Sequence, residues 1–184
     1  MTELQIDPRP YSPDVERSLK AMDERAVREA VLPELLKALD FFDVRQRHGA
    51  REEGKDLLAW RNSVLGTHDW HGFVVKVGDL NAQVTSAHGV RSVLHQVEQV
   101  LDHEITDPLT SGQTFVRECW VVTTGTIPGP ALDEVAVTLR RHHLHQAVRW
   151  IDGKKLSSLL CEHLPAPQLD AILALPAKTE EVLP

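Results

Sequence analysis

Hydrophobic residues recur at helical spacing in two long stretches of the chain. In residues 14–31 and residues 86–105, apolar positions lie three or four residues apart and so share one side of a helix. The clearest stripe belongs to the second stretch and consists of Val90, Val93, Leu94, Val97, Val100, Leu101 and Ile105. Pro33 follows the first stretch, and because proline lacks a backbone N–H, we expect that helix to end or kink there. A second helical segment then starts with Pro33 in its first turn.

Short apolar runs bounded by turn residues indicate the strands. Residues 42–47 form a first strand, and the runs at 57–60 and 72–78 flank a polar connector, which is typical of a β-hairpin with a long loop. Residues 118–124 read as a buried strand and residues 148–151 as a last one. Helices are predicted after Pro130 and after Gly153, and Pro165 and Pro167 stop the latter.

The resulting order is helix, three strands, helix, strand, helix, strand, helix. We therefore predict an α/β fold with a mixed central sheet flanked by helices. Residues 1–31 are predicted to be an N-terminal arm and helical extension, residues 32–165 the main domain, and residues 166–184 a tail that docks weakly or is disordered.

Composition narrows the class of protein. The chain has 184 residues, 42% hydrophobic and 26% charged, as is ordinary for a soluble domain. No apolar run approaches the roughly 18 residues that span a bilayer, and the N-terminus lacks the pattern of a secretory signal. Cys119 and Cys161 lie in apolar contexts, so we expect buried reduced thiols in a cytoplasmic protein. The net charge of -7 weighs modestly against nucleic-acid binding.

Two charged residues interrupt the apolar runs of the predicted hairpin. Asp56 lies at the start of the first run and Lys76 inside the second, where Lys76 shares a strand face with Val74. A buried charge is costly unless it is paired or binds a metal ion. Asp56 and Lys76 are therefore either a salt bridge between neighbouring strands or part of a functional site.

An acidic residue before a hairpin, followed by a lysine in the next strand, resembles the PD-(D/E)XK nuclease superfamily, in particular its Mrr-like restriction endonuclease branch. The resemblance covers residues 32–164 and implies a restriction-endonuclease-like αβββαβ core. It also implies that Asp56 is a metal ligand and Lys76 the catalytic lysine. The family usually has Glu, Asp or Gln two residues before the lysine, where this sequence has Val74.

The same resemblance implies further site residues. Mg²⁺, for which Mn²⁺ can substitute, would bind Asp56 and the backbone carbonyl of Val75. Carboxylates available to replace the missing motif residue are Glu34, Glu52 and Glu53, with Glu52 preferred over Glu53. Gln96 would support the lysine or touch the substrate; alternatively, it is a solvated surface glutamine. Glu34 has an alternative explanation too, because an acidic side chain near a helix N-terminus is favourable without any metal.

The resemblance implies a metal-dependent DNA endonuclease in bacterial restriction or anti-phage defence. A homodimer or a partner subunit would supply target choice, and no membrane is involved. Two alternatives are a catalytically inactive nuclease fold that acts as an interaction scaffold and a small-molecule-binding α/β domain. Histidines occur in two groups, and without paired cysteines we expect them to be solvated rather than zinc ligands: His68, His71, His142, His143 and His145.

Overall fold

A five-stranded sheet lies at the centre of the computed structural model, which describes residues 12–46, 56–64, 66–81, 89–102, 104–107 and 110–175. The strands are β1 (Phe42–Gln46), β2 (Leu57–Asn62), β3 (His68–Lys76), β6 (Glu118–Thr123) and β7 (Val148–Ile151). They lie side by side in the order β1-β2-β3-β6-β7. The first three are antiparallel, whereas β6 runs parallel to β3 and β7 parallel to β6. The predicted mixed α/β fold is confirmed.

Helices cover both faces of this sheet. They are α1 (Pro13–Ala21), α2 (Glu24–Ala26), α3 (Leu32–Ala38), α4 (Val90–Asp102), α5 (Gly129–Arg141), α6 (Gly153–His163) and α7 (Ala166–Leu173). Side chains alternate across each strand, so Val75 and Val122 face one core while Val74 and Val121 face the other. Helices α1, α3, α6 and α7 contribute to the first core, and α4 and α5 to the second. The arm helix α1 thus packs with the main domain.

The first helical stretch breaks earlier than predicted. Helix α1 ends at Ala21, and the Asp23 carboxylate caps the next helix by accepting a 2.6 Å hydrogen bond from the Ala26 N–H. From there the chain stays helical to Ala38, through Pro33. A π-helical turn, Val27–Val31, lies just before the proline. Because Pro33 has no N–H, we infer that this wider turn lets the helix pass it.

One strand is longer than predicted, and one predicted helix ends earlier, before a strand that was not predicted. β3 already begins at His68, so residues assigned to the hairpin loop lie in the sheet. Ile105 belongs to β4 (Glu104–Thr106), which pairs with β5 (Gln113–Phe115), whereas α4 ends at Asp102. The apolar stripe in the sequence continues past the end of α4 because Ile105 is also buried, although it belongs to β4 and not to the helix.

The chain after Pro165 forms a helix that the sequence interpretation missed. Pro165 occupies the N-cap position of α7, whose first turn tolerates a proline because its N–H groups have no partner inside the helix. Leu169 and Ile172 are buried in the core that α1 and α6 share. This part of the predicted tail is therefore docked, while residues 176–184 lie outside the described residues.

Candidate functional site

Asp56 lies immediately before β2 and forms two hydrogen bonds with β3. Its N–H donates a 2.9 Å hydrogen bond to the carbonyl of Phe73, and its Oδ2 accepts a 2.7 Å hydrogen bond from the N–H of Val75. Only 8% of the residue is exposed. The carboxylate therefore has a fixed position at the end of the β2–β3 ladder, whose last pair is Leu57 with Phe73.

Lys76 is the last residue of β3 and is as buried as Asp56, with 9% of its surface exposed. Its carbonyl accepts a 3.3 Å hydrogen bond from the Thr124 N–H. The N–H of Gly78 donates to Thr124 Oγ1 at 3.0 Å. A Cβ atom at Gly125 would lie 2.2 Å from the Gly78 carbonyl carbon, so only glycine permits this close approach of the two chain segments. These contacts hold the backbone of Lys76 in place.

Glu24, the first residue of α2, brings a second carboxylate to the site. Its Oε2 lies 4.0 Å from Lys76 Nζ. The Glu24 charge also contributes to the electrostatic field at Asp56, where it raises the pKa of that carboxyl group. Two acidic groups and one ammonium group therefore converge at the end of β3.

Arg28 supplies a second cation, from the π-helical turn. Its Nη1 lies 3.6 Å from Asp56 Oδ1, and its Nη2 lies 3.8 Å from Glu29 Oε1. The Nε atom is buried and has no hydrogen-bond partner within the described ranges. The guanidinium group thus partly balances the buried Asp56 charge without a short hydrogen bond to it. π-Helical turns occur often at functional sites.

Burial dominates the electrostatics of Asp56. Desolvation raises the pKa of this carboxyl group above its usual value, the Val75 N–H and the Lys76 charge lower it, and the net direction is upward. The pKa of the neighbouring Cys119 thiol is raised as well, by burial first and then by the negative charge of Asp56. A raised carboxyl pKa in a charged pocket is typical of functional sites, although structural ion-pair networks show it too.

The structure locates several of the predicted site residues elsewhere. Glu34 bonds to Lys37 Nζ at 2.6 Å and also accepts a hydrogen bond from Gln168. Gln96 lies on α4, and its Oε1 is buried without a hydrogen-bond partner in the described part of the chain. These contacts do not join Glu34 or Gln96 to Asp56, and the predicted roles of the two residues stay predictions. Glu52 and Glu53 lie outside the described residues.

The sequence interpretation missed Glu24 and Arg28. It treated residues 14–31 as one helix, which made both residues ordinary surface positions. A helix start signal was present, because Asp23 followed by Glu24 is typical of an N-cap and first turn. Helix α2 begins at Glu24, directly after the Asp23 N-cap, and this first residue approaches Lys76.

Asp56 and Glu24 are the carboxylates at this site that could hold a metal ion. Mg²⁺ prefers oxygen ligands and is often bound by one or two carboxylates, and Asp56 and Glu24 supply two. The N–H of Val75 points toward Asp56, and the N–H and C=O of a strand residue point to the same neighbour, so the Val75 carbonyl also faces this side. Among the described residues, no group of three or more His, Cys, Asp or Glu side chains is arranged to hold a metal.

The histidines of β3 are not solvated as predicted. His71 is 7% exposed, and its Nδ1 accepts a 3.2 Å hydrogen bond from the Trp120 indole N–H. His68 Nδ1 lies 3.2 Å from Asp107 Oδ2. Because the strand begins at His68, these side chains occupy sheet positions instead of a loop. The absence of zinc ligation stays a prediction.

Comparisons with known proteins give one distant structural neighbour. No family model and no curated protein sequence matches the chain. The fold is similar to "MspJI Restriction Endonuclease in Complex with 27-mer Oligonucleotide", with a TM-score of 0.42 and 16% sequence identity. The match covers 89% of this chain and 32% of that chain, so the protein spans about a third of the length of its neighbour. Among the described residues, no helix is both long enough and apolar enough to cross a membrane.

Proposed function

We propose that the protein is a metal-dependent endonuclease that hydrolyses phosphodiester bonds in DNA. The observation that carries the proposal is the convergence of Asp56, Glu24 and Lys76, two carboxylates and an ammonium group, at one end of a buried hairpin. Burial strengthens every charge interaction in such a place. The positions of Asp56 and Lys76 in the sequence also resemble the motif of the PD-(D/E)XK nucleases.

Asp56 and Glu24 would hold the metal ion, with the Val75 carbonyl as a third oxygen donor. Mg²⁺ suits these oxygen ligands, and Mn²⁺ can replace it. The bound ion would supply a Lewis acid for the phosphoryl oxygen and lower the pKa of a coordinated water. The Val75 N–H fixes the orientation of the Asp56 carboxylate, which leaves Oδ1 free of a short hydrogen bond within the described ranges.

Lys76 would act on the reacting phosphate. Its ammonium group lies 4.0 Å from the Glu24 carboxylate, on a nearly buried residue whose backbone is held by Thr124. A cation fixed there stabilises the negative charge that develops on the phosphoryl oxygens when water attacks. It also orients the attacking water by donating a hydrogen bond to it.

The biological setting we propose is bacterial restriction or another anti-phage system in the cytoplasm. Cutting both strands of a duplex takes two sites, so we propose a homodimer or a partner subunit. The chain carries a net charge of -7, which weakens non-specific attraction to phosphate. A partner that contributes cations would therefore increase affinity for DNA.

A second candidate is an inactive nuclease fold that serves as an interaction scaffold, and two observations favour it. Val74 replaces the usual acidic or amide residue and is completely buried in the second core. Arg28 Nη1 lies 3.6 Å from Asp56 Oδ1, where a metal ion would otherwise be the counter-charge. In this case Asp56 serves to satisfy the Val75 N–H and to balance Arg28.

Plasmid cleavage tests the two candidates. We would incubate the native protein, Asp56→Asn and Lys76→Met with supercoiled DNA and Mg²⁺ or Mn²⁺, with a chelator as the metal-free control. The nuclease proposal predicts nicked or linear DNA from the native protein and a loss of at least about 100-fold in both variants. Asp56→Asn keeps an acceptor for the Val75 N–H, so folding is preserved and loss of cleavage reports on chemistry.

Two results would reject the nuclease proposal. The first is a native protein that leaves DNA intact in both metals, which favours the scaffold. The second is cleavage that persists in both variants, which would point to a contaminating nuclease. Adding Mn²⁺ while monitoring thermal stability gives an independent reading, because a ligand that binds the folded state raises the melting temperature.

A further inference from the structure

Arg28 is a nearly buried cation that its acidic neighbours hold only loosely. Its side chain is 16% exposed, and its Nε is buried without a hydrogen-bond partner in the described part of the chain. The guanidinium lies 3.6 Å from Asp56 Oδ1 and 3.8 Å from Glu29 Oε1, and both distances exceed that of a hydrogen bond. A guanidinium group carries several N–H donors, and burying them without acceptors is unfavourable. Arg28 therefore retains donors for a further acceptor.

The position of Arg28 makes it part of the candidate site. It follows Glu24 by four residues along one continuous helical stretch, so the two side chains lie on the same side of that stretch. Glu24 approaches Lys76, and Arg28 approaches Asp56. The two helical residues therefore lie opposite the two residues of the hairpin. Any group that binds Asp56 Oδ1 meets the Arg28 guanidinium.

Arg28 and a metal ion would compete for the same oxygen atom. Asp56 Oδ2 accepts the hydrogen bond from the Val75 N–H, which leaves Oδ1 for a cation. Burial has the largest effect on the pKa of the Asp56 carboxyl group, and the charge of Arg28 has the smallest. Two cations at one buried oxygen repel each other strongly. Because the Arg28 side chain is long and loosely held, it can turn away from Asp56 when another cation takes its place.

A phosphate group is the acceptor that suits the displaced guanidinium. The planar fork of an arginine donates two parallel hydrogen bonds to phosphate oxygens. Glu29 is the other carboxylate near Arg28, but it already accepts a 3.0 Å hydrogen bond from Arg25 Nε. The substrate of the proposed nuclease supplies phosphate oxygens at the metal site itself.

We propose that Arg28 is a substrate-binding residue, which balances Asp56 in the free protein and donates hydrogen bonds to the reacting phosphate once a metal ion occupies Asp56. The inference rests on the proposed nuclease function and adds to it a residue for phosphate recognition. It implies two opposite effects, because Arg28 hinders metal binding and promotes DNA binding. An arginine that only stabilises the fold would not separate these two affinities.

Metal and DNA affinities of Arg28 variants test the proposal. Mn²⁺ binding would be measured without DNA, by electron paramagnetic resonance and thermal melting. DNA binding would be measured with Mn²⁺ by fluorescence anisotropy of a labelled duplex, in a Lys76→Met background that the nuclease proposal expects not to cleave. We expect Arg28→Gln to bind Mn²⁺ about tenfold more tightly and DNA about tenfold more weakly. Arg28→Lys keeps the charge and loses the fork, so it should keep the native Mn²⁺ affinity and recover only part of the DNA affinity.

The salt dependence of DNA binding gives a further measurement. A cation that contacts a phosphate releases counterions, so the slope of log K against log salt concentration should be smaller by about one in Arg28→Gln. Arg17→Gln is the control, because Arg17 is an exposed cation that pairs with Asp14 on α1. It removes the same charge and should leave the Mn²⁺ affinity and the slope unchanged.

Three results would overturn the proposal. If Arg28→Gln matches the native protein in both affinities, Arg28 has no part in substrate binding, while native binding of Mn²⁺ and DNA still supports the nuclease. If Arg28→Gln loses both affinities together with thermal stability, the role of Arg28 is structural. A native protein that binds neither Mn²⁺ nor DNA rejects the nuclease proposal and this inference with it. Should Arg28→Gln fail to fold, Arg28→Lys decides, since native DNA affinity in that variant would exclude a role for the fork.

Discussion

The Asp56 carboxylate accepts a 2.7 Å hydrogen bond from the backbone N–H of Val75, the residue that precedes Lys76. One contact therefore joins the acidic and basic members of the candidate site through the backbone of β3. It also gives Asp56 a structural role, since without it the Val75 N–H would be buried without a partner. The structural and chemical roles of Asp56 can be separated because Asn keeps the acceptor and loses the charge.

We expect Asp56→Asn to be at least as stable as the native protein near neutral pH, and Asp56→Ala to be less stable. Asn removes a charge that burial disfavours, which is why the pKa of the Asp56 carboxyl group is raised, and it keeps an acceptor for the Val75 N–H, whereas Ala leaves that N–H without a partner. The cost of the Ala substitution is about 1–3 kcal/mol in the free energy of unfolding. Chemical denaturation measures both values, and an Asn variant as unstable as the Ala variant would contradict the assignment.

The Asp56 pKa also sets the sign of a pH dependence. Because its pKa is higher in the folded state, the folded protein retains the proton over a pH range in which the unfolded chain has lost it. The free energy of unfolding should therefore fall as pH rises from about 4 through the raised pKa. Asp56→Asn removes this contribution, which the difference between the two stability curves measures.

Asp79 is a matched control with the opposite sign. Its Oδ1 accepts hydrogen bonds from the Thr126 N–H at 2.7 Å and from the Thr126 hydroxyl at 2.8 Å, and these lower the pKa of the carboxyl group. Its stabilising contribution is present above the ordinary Asp pKa and is lost as pH falls through the lowered value. Asp79→Asn should therefore reduce stability near neutral pH, and the two Asn variants should change the pH profile in opposite directions.

Glu24→Gln should weaken metal binding and Glu34→Gln should not. Glu24 contributes to the field at Asp56 and faces Lys76, whereas Glu34 bonds to Lys37 and Gln168. We expect the Mn²⁺ concentration for half-maximal DNA cleavage to rise about tenfold or more in Glu24→Gln. The opposite ranking of these variants would restore Glu34 as the ligand that the sequence resemblance implied.

The order of the elements along the chain and the proximity of Asp56 and Lys76 were predictable because they depend on local patterns. Asp56 and Lys76 stand out as charges inside apolar runs, and a hairpin necessarily brings its two strands together. Glu24 reaches the site only through tertiary packing, from a helix that is distant from β3 in the sequence. The hydrophobic periodicity of a sequence does not show such a long-range contact, so Glu24 could be assigned to the site only from the structure.

The predictions of helix boundaries were incomplete for a related reason. The second helical segment begins at Leu32 with Pro33 in its first turn, as predicted, but the pattern contained no sign that a π-helical turn joins it to the preceding helix. Pro165 was taken as a stop because a proline normally ends a helix, although a proline at the N-cap position also starts α7. Leu169 and Ile172 of α7 are buried in the first core, and this burial stabilises the helix. Such tertiary contacts cannot be derived from the local sequence pattern.

Val74→Glu tests whether the missing motif residue can be restored. Val74 lies between Phe73 and Val75, the two residues of β3 to which Asp56 is hydrogen-bonded. A glutamate at position 74 is buried among apolar groups and should lower stability by several kcal/mol without metal. If the site binds metal, Mn²⁺ should recover much of that stability and increase cleavage.

Val121→Glu is the control for this substitution. Val121 is the strand partner of Val74 on β6, faces the same core and is equally buried. The variant should lose comparable stability and should not recover it with Mn²⁺, because Val121 lies one strand farther from Asp56. Equal recovery of the two variants would mean that metal stabilises the protein at some other place.

His71 should remain neutral well below the pH at which an exposed histidine is protonated. Burial lowers its pKa, and the nearby charges of Glu118 and Asp69 oppose this effect while those of Arg61 and Arg117 support it. The Trp120 N–H donates to Nδ1, which must therefore be unprotonated.

Because the unfolded chain binds this proton first, the free energy of unfolding should decrease as pH falls from about 6.5 through the lowered pKa of His71. His71→Asn retains an acceptor near Nδ1 and should flatten this part of the stability curve, whereas His68→Asn should leave it in place. Histidine resonances followed by NMR give the titration midpoint directly. A midpoint for His71 at or above that of an exposed histidine would show that its carboxylate neighbours, rather than burial, control its charge.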